Sequence, residues 1–344
     1  MPATYLTFTP ETGLTELSSP EQLADLPQNA LIWIDIESED GGPLQAVAAQ
    51  LGLHELTVED CLTPGHFPKI EDFTNYLFIV TRALKPLSEL EAVWEKDELE
   101  PVPQVGTQAA EEQERYTRKV AMYLSERFVI TFRRYEIAWL DALVRHVQQS
   151  PEASLALGTD ALAHRVLDVL TDRFARGLTF FERIVDNMEH VAIDADANFQ
   201  MAGALDLKRE LLTLKQIVRD ERIVITKLAT DPLLRIRKQQ RRYFKDIDDH
   251  LIDIFHTIEQ QIDSLIGLRD AYFALANVRL NDTMKVLAVI TTVAAPVNIV
   301  VGIYGMNFHW MPLLSHEYGF WIFIGTILLL TSMILVFFRR KRWI

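Results

Sequence analysis

Three scarcities narrow the reading of this 344-residue chain. Cysteine is almost absent: Cys61 stands alone, so no intrachain disulfide can form, which fits a reducing compartment. A lone thiol of this kind is expected as a small buried apolar side chain. Positive charge is also short, with 34 Lys and Arg against 48 Asp and Glu and a net charge of -14. The one dense basic cluster, Arg339-Arg340-Lys341-Arg342, closes the chain, so nucleic acid is not expected as a partner. The N-terminal Met1-Pro2-Ala3-Thr4-Tyr5 lacks the basic and apolar regions of a signal peptide. No Gly-x-x-x-x-Gly-Lys-Ser/Thr phosphate loop occurs, and the chain is read as a non-enzyme without an organic cofactor.

Long apolar runs are missing from the first 285 residues and then come twice. Neither Val286 to Val301 nor Phe320 to Phe338 carries a charge. A helix of about 19 residues at about 1.5 Å per residue is about 28 Å long, close to the hydrocarbon thickness of a bilayer. Both runs are therefore read as membrane spans. The connecting loop from Asn307 to Gly319 has no Lys or Arg, whereas the basic cluster follows the second span. The loop is expected outside and both termini in the cytoplasm, in a cell (inner) membrane crossed more than once.

The remainder divides by pattern. Residues 1–150 read as a cytoplasmic α/β domain, with strands at Leu6-Thr7-Phe8, Leu31 to Ile36 and Tyr76 to Val80, and a hairpin of Val120 to Leu124 with Phe128 to Phe132. Short helices are expected at Pro43 to Leu51 and His54 to Leu62, and a closing helix at Tyr135 to Gln149. Between Pro86 and Arg115 nine acidic residues face two basic ones among three prolines, which predicts a mobile acidic insertion. Residues 151–236 read as an exposed antiparallel helix pair, broken at Asp231-Pro232. Residues 237–304 read as one long stalk helix that runs into the first span at about 286–304, followed by a loop at 305–319, a second span at 320–338 and a basic tail at 339–344. Along the stalk, Phe244, Ile247, Leu251, Ile254, Ile258, Ile262, Leu265, Leu268, Tyr272 and Leu275 advance by threes and fours, close to the coiled-coil period. The fold class is an α+β N-terminal domain, a long helical stalk and two C-terminal transmembrane helices, predominantly α.

One face of the first span runs Asn281, Met284, Leu287 or Ala288, Thr291, Ala295, Asn298, Gly302. Polar side chains in a membrane helix face the bundle interior or water. They would line a pore if several copies packed around an axis, or they would hold helices together. Pro296 frees a backbone carbonyl near mid-span, tolerated where that carbonyl reaches a neighbour or water.

Tyr304-Gly305-Met306-Asn307-Phe308, followed by Met311-Pro312, between two C-terminal spans and ahead of a basic tail, resembles the CorA family of divalent metal channels. Met284-Lys285-Val286-Leu287 resembles its pore entry and Tyr243 to His250 its stalk. The resemblance implies a homopentamer in the lipid bilayer with a central pore lined by the first span, carrying Mg²⁺ mainly, with Co²⁺ and Ni²⁺. It implies a mouth formed by Gly305, Met306 and Asn307, with Gly305 letting the backbone bend. Regulatory Mg²⁺ between subunits would be held at Asp246 and Asp270; Asp253, seven residues after Asp246, shares a helix face with it. Leu313 stands where the family pattern has Glu after Met-Pro, with Glu317 as a substitute; Ala295 stands where a bulky Met is common and Asn298 where Thr is common. The alternative is a proton-coupled zinc transporter of the related ZntB type. Zinc favours His and Cys ligands, yet His250 and His256 lie off one face, His309 and His316 are isolated, and no zinc constellation is expected.

Overall fold

The computed structural model describes residues 3–99, 114–193, 201–231, 235–306, 309, 311–313, 316–341 and 343. They divide into two compact units, Met1–Gly267 and Leu268–Ile344.

The first unit is built on one sheet. Its strands are β1 (Ala3–Thr9), β2 (Gly13–Leu17), β3 (Leu31–Glu37), β4 (Lys69–Phe73), β5 (Tyr76–Leu84), β6 (Thr117–Leu124) and β7 (Phe128–Arg133), in the order β2-β1-β3-β7-β6-β5-β4. Every neighbouring pair is antiparallel except β3 and β7. Successive side chains of a strand point to opposite faces. Ile32, Ile34 and Ile36 accordingly share one core with Phe78, Val80, Tyr123, Ile130 and Phe132. Helices α1 (Gly42–Leu51) and α2 (Glu55–Leu62) close that core with Leu44, Val47 and Cys61. Cys61 is fully buried with its Sγ 3.3 Å from the Tyr123 hydroxyl, and burial pushes its thiol up to about 12. It is the inert apolar filler expected of it.

The alternate residues Trp33, Leu77, Ile79, Met122 and Val129 are equally buried. The long helix α5 (Thr159–Ile193), which follows α4 (Ala138–Gln149), packs against β3, β5, β6 and β7. Helix α6 (Met201–Thr230) packs against β4 and β5 and buries Leu207, Leu211, Leu214, Ile217, Val224, Ile225 and Leu228. The expected exposed helix pair is thus corrected: charge covers only one side, and the apolar stripe completes the sheet's second layer. The expected acidic insertion is corrected in its first half, where α3 (Leu87–Leu99) is helical and anchored by fully buried Leu90. Residues 100–113, and the turn expected near Asn198, lie outside the described residues.

Helix α7 (Arg241–Tyr304) is continuous for 64 residues, through Gly267 and Pro296. Within the first unit it buries Phe244, Ile247, Leu251, Ile254, Ile258, Ile262 and Leu265, the stripe read from the sequence. Lys215–Glu259 at 2.8 Å and Arg222–Asp248 at 3.2 Å bind it to α6. In the second unit, α8 (Gly319–Arg340) carries the second apolar run.

Candidate functional site

Successive residues of an α-helix are about 100° apart around its axis. Asn281, Met284, Leu287, Thr291, Ala295, Asn298 and Gly302 therefore fall in one arc about 120° wide, and all seven are exposed. Val289, Val293, Pro296, Val297, Val300 and Tyr304 occupy the arc about 180° away and are buried or half-buried. On that side the Tyr304 ring lies 4.6 Å from the ring of Phe323 in α8. The stripe bearing the amides and the hydroxyl is thus among the surfaces that α8 leaves uncovered. Thr291 donates its hydroxyl hydrogen to the Leu287 carbonyl at 2.8 Å, a bond that removes its cost in an apolar setting. Pro296 has no N–H for the Thr292 carbonyl four residues back.

Large apolar side chains cover the outer faces of both helices. Ile290 and Val301 on α7, and Trp321, Leu328, Leu329 and Met333 on α8, are more than half exposed. Both helices are long and apolar enough to cross a membrane, and almost none of their apolar windows is buried within the chain.

At the end of α7, the Gly305 N–H donates to the Val301 carbonyl at 3.0 Å and the Met306 N–H to the Ile303 carbonyl at 3.2 Å. Gly305 has no left-handed φ, so the helix ends without the turn that glycine makes easy. Met306 is exposed; Asn307 and Phe308 lie outside the described residues. The Tyr304 hydroxyl donates to the Pro312 carbonyl at 3.1 Å. Leu313 takes a φ of 69°, and a Cβ at Gly319 would fall 2.0 Å from its carbonyl oxygen, so glycine is required at 319.

The stalk carboxylates are exposed. Asp246 and Asp253 stand on the outer side of α7 without an ion pair among the described residues. Asp270, in the second unit, pairs with Arg269 at 2.9 Å. One cluster escaped the sequence reading: Asp168 and Asp172 on α5 and His250 on α7 bring their donor atoms within 4.8 Å of one another. Two carboxylates and an imidazole suit a divalent cation of intermediate softness. Helical spacing relates His250 only to residues of its own helix, such as His256. The i, i+4 spacing of Asp168 and Asp172 was the available signal, but nothing in the sequence ties that turn to His250.

The CorA-like Mg2+ transporter protein family matches residues 28–94 and 99–340. The cobalt/magnesium transport protein CorA of Thermotoga maritima is 27% identical over 316 residues, covering 91% of this chain and 83% of that one. A zinc transport protein ZntB of an Enterobacter species is 23% identical over 235 residues, 67% of this chain and 70% of the relative. The complete structure of the CorA magnesium transporter from Methanocaldococcus jannaschii superposes with a TM-score of 0.81 at 20% identity, covering 100% of this chain and 99% of that one. With sequence and fold in agreement from the sheet to the second apolar helix, the chain belongs to the CorA-like family of metal ion transporters.

Proposed function

We propose that the protein is a divalent-cation channel of the cell membrane, a homopentamer that admits mainly Mg²⁺, with Co²⁺ and Ni²⁺, down the membrane potential. The observation that carries this reading is the exposed stripe from Asn281 to Gly302 on the face of α7 opposite α8. Turned toward an axis in five copies, it makes rings of amide and hydroxyl oxygens at Asn281, Thr291 and Asn298, separated by apolar rings at Met284, Leu287 and Ala295. Mg²⁺ gives up its water reluctantly and favours oxygen. Neutral oxygens hold a hydrated ion through its water shell and release it again, which conduction requires. Gly305, Met306 and Asn307 would form the outer mouth. Entry of a divalent ion gains about 4.6 kcal/mol per 100 mV of inside-negative potential, so no ATP step is needed.

The cargo of the Thermotoga maritima relative, cobalt and magnesium by its name, supports the ion choice. For gating, Asp246, Asp253 and Asp270 would be held together across subunits by intracellular Mg²⁺. Without it their like charges repel, and the stalks splay. Orientation follows the basic end of α8 and the Lys- and Arg-free loop, which keep both termini in the cytoplasm.

The test is Mg²⁺ uptake into liposomes holding the purified protein, with and without millimolar internal Mg²⁺, beside Asn307→Ala. Uptake damped from inside and lost in the variant is expected. Proton-dependent zinc uptake with little Mg²⁺ flux would replace this reading with the ZntB type, and absence of any flux would remove transport by this chain.

A further inference from the structure

The first unit of this acidic protein holds a cavity walled by cations. It measures about 280 Å³ and is lined, among the described residues, by Lys85, Arg118, Lys119 and Arg134, with Glu114, Thr117 and Tyr135. Lys85 directly follows β5, Arg134 directly follows β7, and residues 117–119 open β6. The cavity therefore lies off the carboxyl ends of β5 and β7, beside the sheet's parallel pair, where open α/β sheets characteristically receive ligands.

The charges there are poorly compensated. Lys119 is 6% exposed, and among the described residues its ammonium donates only to the backbone carbonyls of Asp60 and Thr63. Lys85 donates to the Arg115 carbonyl at 2.7 Å. The Nε of Arg134 is buried without a hydrogen-bond partner among the described residues. Behind the wall, fully buried Arg82 bonds Thr117 at 2.8 Å and the His66 carbonyl at 3.0 Å, and its Nη2 has no partner among the described residues. Among the described residues Arg118 alone of these has a carboxylate at ion-pair distance, Glu89 at 2.6 Å, while Glu114 acts on Lys85, Lys119 and Arg82 from farther off. Burial lowers Lys119 to about 8 and Arg82 to about 10. A cation kept from water without an opposite charge is costly, and an anion in the cavity relieves several at once.

A second cavity of about 270 Å³ shares Lys85 and Arg118 with the first. Its wall is mainly apolar, with Leu84, Leu87, Ile137 and Trp139, beside Arg173 and Arg176 of α5. The Trp139 indole N–H is buried and has no partner among the described residues. One chamber suits an anion and the adjoining one a flat apolar body with an acceptor at its edge.

We propose that these joined chambers bind a phosphate monoester of mononucleotide size, its phosphate among Lys85, Arg118, Lys119 and Arg134 and its ring against Trp139. Charge-assisted bonds to a phosphate are stronger than neutral ones, and two chambers of this volume together reach the range of small-molecule sites.

The test uses the full-length protein in detergent with EDTA, so that no chelated cation mediates binding. Adenosine monophosphate, inorganic phosphate and adenosine are titrated by calorimetry. Saturable binding of the nucleotide is expected, about tenfold tighter than phosphate or adenosine alone, with Arg134→Gln weakening it about tenfold. Trp139→Phe weakens the nucleotide and adenosine while leaving phosphate unchanged. Lys85→Gln serves if Arg134→Gln fails to fold, judged by far-ultraviolet circular dichroism. No saturable nucleotide binding, phosphate binding as tightly as the nucleotide, or binding indifferent to the folded variants overturns the proposal.

Discussion

The two units use the same kinds of side chain in opposite ways. In residues 1–267 the largest apolar groups are hidden: Trp33, Phe78, Tyr123, Phe132 and Phe181 are all below 2% exposed. In residues 268–344 comparable groups are displayed, with Trp321 at 70% and Leu329 at 72%. Burying one such side chain is worth about 1.5–3 kcal/mol in water. A helix pair that leaves nearly all of them outside is built for a solvent in which exposure costs nothing, which hydrocarbon provides. Inside that rule the Asn281 to Gly302 stripe is the exception, since amides and hydroxyls gain nothing from lipid. The first unit thus completes its core within one chain, while the second leaves one surface suited to lipid and another suited to further copies.

Substitutions can break this contrast or sharpen it. On the channel reading the largest effect is at Asn307, where Ala reduces Mg²⁺ flux to that of empty liposomes. Next comes the sheet: Phe78→Ala should cost the first unit about 3–5 kcal/mol in chemical denaturation, whereas Leu329→Ala should stay within about 0.5 kcal/mol in micelles. Equal losses at the two positions would abolish the distinction between hidden and displayed side chains. On α7, Asn298→Leu should lower flux about tenfold, by removal of a polar contact to a hydrated ion, while Met333→Leu on the outer side of α8 leaves it unchanged. A flux loss at both positions would mean that the stripe is nothing special.

A further effect concerns Glu221 of α6, fully buried, its carboxyl raised by burial from 4.5 to about 8. Between about pH 4.5 and 8 the folded chain keeps a proton that the unfolded chain releases, so folding weakens as pH rises through that window. The slope is at most about 1.4 kcal/mol per pH unit. Glu221→Gln removes it, so the variant's advantage in thermal midpoint should grow from pH 5 to pH 8. A constant difference would show that the carboxyl titrates normally.

The central strands and the long helices were legible because they bury continuous stripes. Leu31 to Ile36 is almost wholly apolar, and the Phe244 to Leu265 stripe repeats by threes and fours. The edge strands were not legible for the opposite reason. Gly-Leu-Thr-Glu-Leu of β2 and Lys-Ile-Glu-Asp-Phe of β4 are mostly half-buried and carry the charges that keep edges from pairing with other chains. Helix α3 was masked by its acidity, although Leu, Glu and Ala are good helix formers. The packing of α6 on β4 and β5 came from tertiary context alone. Of the candidate site, the stripe could be read from spacing. The meeting of His250 with Asp168 and Asp172, and the cationic cavity, join segments far apart in the chain, which local pattern does not encode.

The hydrogen bond from Thr291 to the Leu287 carbonyl has a consequence for sign. A hydroxyl has one hydrogen to give, and here it is spent along the helix, so outward the oxygen presents only lone pairs. A ring of such oxygens meets the hydrogens of a cation's water shell and offers no donor to an anion. On the channel reading, the helix itself would thus bias a pore against negative ions, with no charged residue in the stripe.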